Sequence, residues 1–182
     1  MSDQKRIRRD DSGLRTAASH VGYEIRMLVF TGELLPRSHS SPMELEEDDK
    51  NMALESFLLH FRNLRAFLCP EQELLKPDDV IASDFLNAER ACNLADPGPL
   101  SADRVRINKM LTHLSYGRAE FIRDGKHVWD VVGMLKLMLG QVSAFLERLP
   151  PARRDLFPTA DWIAEAIERA DSSLPYGIAG RE

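Results

Sequence analysis

The sequence predicts an all-α fold: a single helical bundle of four long helices plus one or more short ones. Two observations carry that prediction. Four long stretches place apolar residues three and four positions apart, the repeat of a helix with one buried face. No stretch alternates apolar and polar residues at period two, so no sheet is expected. Breakers at Pro36, Cys69-Pro70, Pro97-Gly98-Pro99 and Pro150-Pro151 separate the stretches, because proline lacks a backbone donor and clashes with the preceding turn. A chain of 182 residues suffices for one well-filled core and would crowd two.

Residues 1–13 mix Lys5, Arg6, Arg8 and Arg9 with Asp10 and Asp11 and hold few apolar side chains. They read as a flexible arm ahead of one domain over 14–175, with 176–182 as a flexible tail. Helix one spans about Leu14 to Leu35, with Leu14, Ala18, Val21, Ile25 and Leu28 on one stripe, and stops at Pro36. Helix two follows the acidic run Glu44–Asp49, where carboxylates favour a helix N-terminus. Its stripe is Leu54, Phe57, Leu58, Phe61, Leu64 and Leu68, ending at Cys69-Pro70. In 71–100, Pro77-Asp78-Asp79 can cap a short helix, and Asp84 to Cys92 can form another. Helix three begins with Ser101 as N-cap and Asp103 in the first turn. Ile107, Met110, Leu111 and Leu114 form its apolar face, and Gly117 is its stop. Helix four runs from Val128 to Leu149 through Val131, Val132, Leu135, Met138, Leu139, Val142, Phe145 and Leu146. A last helix, about Thr159 to Asp171, carries Trp162, Ile163, Ala166 and Ile167.

Composition narrows the function classes. A net charge of −5 argues against a protein wrapped in nucleic acid, while leaving room for a local basic cleft. Cys69 and Cys92 show no metal spacing and read as small buried hydrophobes. The polar stretch Met1–Asp10 has no secretory apolar core. The most apolar run, Val131–Leu139, is too short for a bilayer and contains Lys136. A cytoplasmic protein without a membrane partner is expected. No HxxxH or HExxH pair is present, so neither metal nor other cofactor is called for. A nucleophile elbow is also lacking.

The segment Arg106-Ile107-Asn108-Lys109-Met110-Leu111-Thr112-His113-Leu114-Ser115-Tyr116-Gly117-Arg118 concentrates the candidate chemistry. Residues seven apart on an α-helix differ by about 20° around the axis, so Arg106 and His113 share a face. Together they could grip and cleave a phosphodiester, or form a structural hydrogen-bond network. The spacing alone has little weight: 18 Arg and 5 His give roughly 1.5 such pairs by chance. Between Ser101 and His127, six Lys/Arg face three acids, a local excess in an acidic chain. A second polar stripe, Ser56, His60 and Asn63 with Arg62 and Arg65 alongside, lies on helix two. If buried, it must be hydrogen-bonded, and the polar face of helix three is its expected partner. A small-ligand pocket among these polar faces is a further alternative.

Three stretches look familiar together: Ala53-Leu54-Glu55-Ser56-Phe57-Leu58-Leu59-His60-Phe61-Arg62-Asn63-Leu64; Asp78-Asp79-Val80-Ile81-Ala82-Ser83-Asp84-Phe85; and Arg106-Ile107-Asn108-Lys109 with His113-Leu114 and Tyr116. Over roughly residues 50–120 the chain resembles an uncharacterised all-helical bacterial family, HEPN-like, of the abortive-infection branch. That resemblance implies a helical bundle that pairs as a homodimer. It also implies a metal-independent endoribonuclease of toxin–antitoxin or phage-defence systems, with RNA and an antitoxin or other protein as partners. Arg106 and His113 would be catalytic, His113 as general base or acid and Arg106 on the phosphate. Asn108, Lys109, Tyr116 and Arg118 would hold substrate. The family places a polar residue directly after the arginine, whereas this chain has Ile107 there, then Asn108. Non-catalytic members imply the alternative: an interaction or regulatory module whose Arg/His motif is structural.

Overall fold

The computed structural model describes residues 9–37, 45–86, 104–112, 122–124, 128–172 and 177–179. They are mostly helical. Helix α1 spans Asp11–Arg37 and α2 Glu47–Leu68. Residues 104–107 are helical and run on into a π-helical turn, Asn108–Thr112; together they are α3. Strand β1 (Val128–Asp130) leads directly into α4 (Val131–Arg148). Then come the short α5 (Pro151–Arg154), α6 (Ala160–Asp171) and strand β2 (Gly177–Ala179).

Each element begins where local chemistry can satisfy its first donors. Asp10 Oδ1 accepts from Gly13 N at 2.8 Å, so α1 starts inside the segment read as an arm. Glu47, Asp48 and Asp49 occupy the first turn of α2, where the helix dipole favours them. Asp130 Oδ1 accepts from Gly133 N at 2.9 Å and caps α4. Thr159 Oγ1 accepts from Trp162 N at 3.2 Å and caps α6. The proline stops at Cys69-Pro70 and Pro150 fall where the sequence placed them.

Helices α1 and α2 lie side by side and antiparallel, with Tyr23 and Glu24 against His60 and Gly32 against Phe57. Helix α4 packs on both, and α6 packs on α4. One continuous apolar core joins them, and it takes in the expected stripes of α1 and α2. Burying a side chain the size of Leu or Phe contributes about 1.5–3 kcal/mol, so this shared interior holds the bundle together. At one end, Phe67, Phe85, Phe145 and Phe157 meet edge-to-face, with ring centroids 5.0–6.4 Å apart. That cluster pins the 3-10 turn Ala82–Phe85 to α4. Glu33 binds Arg169 at 2.8 Å and Arg37 at 3.0 Å, fastening α6 to α1.

Beyond the early start of α1 and its run through Pro36 to Arg37, the structure differs from expectation in four further places. Strands β1 and β2 form an antiparallel ribbon, with Val128 opposite Ala179 and Trp129 opposite Ile178. Three residues per strand are too few to display a period-two pattern. Consequently α4 begins at Val131 rather than Val128, whose side chain is exposed, and Gly177–Ala179 are paired rather than tail. Finally, Cys69 is half-buried at the end of α2 rather than in the core, because the chain leaves the helix there for Pro70. Cys92 and the helix expected up to it lie outside the described residues beyond Leu86.

Candidate functional site

Arg106 projects from α3 onto the ribbon. Its Nη2 donates to the backbone carbonyl of Val128, and its guanidinium carbon lies 3.9 Å from the centroid of the Trp129 ring. The planar cation thus stacks on a fully buried indole, an interaction worth about 0.5–2 kcal/mol. It ties α3 to β1.

His113, Tyr116 and Arg118 lie outside the described residues. The path towards them is not a plain α-helix, however. Asn108–Thr112 bond in the π pattern, which takes more residues per turn. Lys109 is half-buried within it.

The polar stripe on α2 finds a different partner from the one expected. His60 Nδ1–H donates to Glu24 Oε2 at 2.7 Å, and Asn63 Nδ2 donates to the same oxygen at 3.1 Å. The Tyr23 ring meets the imidazole edge-on, with centroids 5.7 Å apart. Because α2 packs along α1, the carboxylate at the level of His60 comes from α1 and not from helix three. His60 is a satisfied buried histidine held between two α1 side chains. Ser56 is half-buried on the same helix.

Arg62 and Asn108 come together elsewhere. The last turns of α2, the loop 70–81 and α3 enclose a cleft of about 430 Å³. Arg62, Arg65 and Arg104 line it with Asn63 and Asn108, and Phe67, Leu74, Leu75, Val80 and Ile81 supply apolar walls. Glu71 bridges two of the arginines: Arg65 Nη2 donates to Oε1 at 3.2 Å and Arg104 Nη1 to Oε2 at 2.6 Å. Asp79 also faces the cleft, its Oδ2 accepting from Lys76 N at 2.8 Å to close the loop's turn. Arg62 makes no ion pair or hydrogen bond among the described residues. Among the described residues, three arginines and two carboxylates line the cleft, one positive charge over in a chain whose net charge is −5.

Sequence reasoning missed Glu24, Glu71 and Trp129, which make these arrangements work. Glu24 and Trp129 lie far along the chain from the side chains they serve, Glu71 joins Arg65 six residues before it to the distant Arg104, and none belongs to a motif. Among the described residues no three His, Cys, Asp or Glu side chains gather as a metal site requires, and no helix is long and apolar enough to cross a membrane. Comparison of the chain with protein-family models, with curated proteins and with solved structures gives no match.

Proposed function

We propose that this chain is a non-catalytic helical interaction or regulatory module of HEPN-like ancestry, in which Arg106 serves the fold. The observation that supports this is the double commitment of Arg106 to the Val128 carbonyl and the Trp129 ring. An arginine that stabilises a cleaving phosphate must aim its fork of donors at the developing charge, already oriented. Here the guanidinium is stacked and bonded within the fold, so turning it to a substrate would cost both contacts. The test is incubation of pure protein with total RNA in EDTA, beside His113→Ala. No cleavage by either protein is expected; cleavage that His113→Ala abolishes would overturn the proposal.

The partner face lies on α1 and α2. Tyr23, Met27 and Phe30 follow one another at i, i+4 and i+7, with Tyr23 50% and Phe30 59% exposed. Met52 and Leu59 on α2 repeat the seven-residue step at 63% and 43%. Exposed aromatic and aliphatic side chains set among polar ones on two neighbouring helices suit burial against another surface. The HEPN resemblance makes that surface a second copy, related by a two-fold axis. Sedimentation of the wild type as a dimer, and of Phe30→Glu as a folded monomer, is the expected result. A wild-type monomer at high micromolar concentration would refute the pairing.

One feature favours the endoribonuclease as a second reading. The π turn interrupts the basic segment itself, and such turns are frequent at functional sites. In that case Arg106 and His113 cleave, while Asn108, Lys109, Tyr116 and Arg118 hold RNA. The same RNA assay separates the two readings.

A further inference from the structure

The described lining of the cleft between α2 and α3 carries one positive charge more than the described carboxylates there. The geometry points to a binding site there for a small organic phosphomonoester, with the Glu71 carboxylate occupying the phosphate's place in the free protein. This inference rests on the cleft alone and is independent of the role of Arg106.

Arg65 and Arg104 come from different elements, yet both aim at one carboxylate, at 3.2 and 2.6 Å. Arg65 is buried, and a buried guanidinium requires an anion beside it. That anion is supplied by a loop rather than by a helix or strand. Glu71 lies just beyond the end of α2, and its side chain is 28% exposed. It is held by the two arginines it bridges and can leave without unfolding a helix. An arginine fork donates to carboxylate and phosphate oxygens in the same geometry, so a phosphate could take over both bonds.

Charge selects among the anions. A carboxylate or a phosphodiester carries one charge and only duplicates Glu71, leaving Arg62 without a counter-charge among the described residues. A phosphomonoester is mostly dianionic above its second pKa of about 6. Exchanged for Glu71, with Asp79 still in place, it matches the charge of the three arginines among the described lining residues. Arg62, one helical turn before Arg65, is the cation that no described residue engages. The apolar walls of the cleft would receive the organic part of the ester, a combination usual for small-molecule sites.

The test is calorimetric titration of the full chain at pH 7.5 with phenyl phosphate, methyl phenyl phosphate and benzoate. Phenyl phosphate should bind saturably at one site, and the two monoanions about tenfold more weakly or worse. Arg62→Ala should weaken phenyl phosphate about tenfold, and Arg62→Lys should restore only part of the loss. Glu71→Gln should bind several-fold tighter than wild type, because the internal competitor has lost its charge. Each variant is first checked for a native circular dichroism spectrum; Arg62 is only half-buried, so its lysine variant keeps the experiment decisive if the alanine variant misfolds. Absence of binding to both wild type and Glu71→Gln overturns the site. Equal affinity for the diester, or an unchanged affinity in the Arg62 variants, overturns the charge argument. Weaker binding by Glu71→Gln overturns the exchange. An RNA-cleavage result in either direction leaves all four outcomes intact, so the two proposals fail separately.

Discussion

Replacing Gly32 by alanine should destabilise the bundle relative to the same change at Gly140, although both glycines lie inside long helices. At Gly32, where α1 meets α2 and α4, an added Cβ would lie 3.0 Å from Phe57 Cε2 and 3.1 Å from Leu135 Cδ2. Carbon atoms rest about 3.5–4.0 Å apart, so a methyl group there intrudes on both side chains. Phe57 and Leu135 are fully buried in a close-packed interior and have little room to retreat. Overpacking of this kind costs about 1–3 kcal/mol. Alanine recovers about 1 kcal/mol through its higher helix propensity, so Gly32→Ala should come out between neutral and about 2 kcal/mol destabilised. At Gly140 no atom lies within 4 Å of the added Cβ, and the propensity gain of about 1 kcal/mol acts alone. The propensity term is common to both variants, so their difference of about 1–3 kcal/mol isolates the steric cost. Urea unfolding followed at 222 nm measures it. With a slope of about 1–3 kcal/mol per molar, the midpoints should separate by roughly 1 M. Coincident midpoints, or a higher one for Gly32→Ala, would refute the close approach of the three helices.

Three further expectations follow from the contacts described. Phe85→Ala removes one ring from the edge-to-face cluster and should lower stability by about 3–5 kcal/mol, read as a lowered urea midpoint. Asp130→Ala loses the cap of α4 at a cost of about 1 kcal/mol, and Gly133→Ala, whose Cβ would push the Asp130 carboxylate off the cap, should cost no more than that, because alanine regains up to about 1 kcal/mol of helix propensity. Arg106→Ala should change the emission of Trp129 and destabilise by about 1–2 kcal/mol. Arg106→Lys should not restore the spectrum, since an ammonium lacks the planar stack.

The helices were legible because burial imposes a period that the residues must obey. All six stripe residues named for α2 are buried, and its acidic start and Cys69-Pro70 stop mark the observed limits. In α4 the apolar positions from Val131 to Leu149 are buried as their spacing requires. Val128 is the exception, and the reason is local: Asp130 caps the helix, so the chain before it is extended. The site was much less legible. A π turn uses residues that an α-helix would also accept, so Asn108–Thr112 bears no mark of it. The partner of His60 depends on which helix packs against α2, a tertiary fact that one helix's sequence does not encode. The cleft draws on α2, a loop without periodicity and α3, so its charge pattern exists only after folding.

The short strand β1 has a consequence for how the molecule opens. Val128 offers its carbonyl to Arg106, its strand pairs with Gly177–Ala179, and Asp130 at its end caps α4. The ribbon closes the run from β1 to β2 into a loop whose ends are distant in the chain. The core holds α4 and α6 within that run, whereas three residue pairs hold the ribbon, which favours its early release. In hydrogen exchange, the first-turn amides of α4 and those of Gly177–Ala179 should therefore lose protection together, as one cooperative unit ahead of the α1–α2 pair.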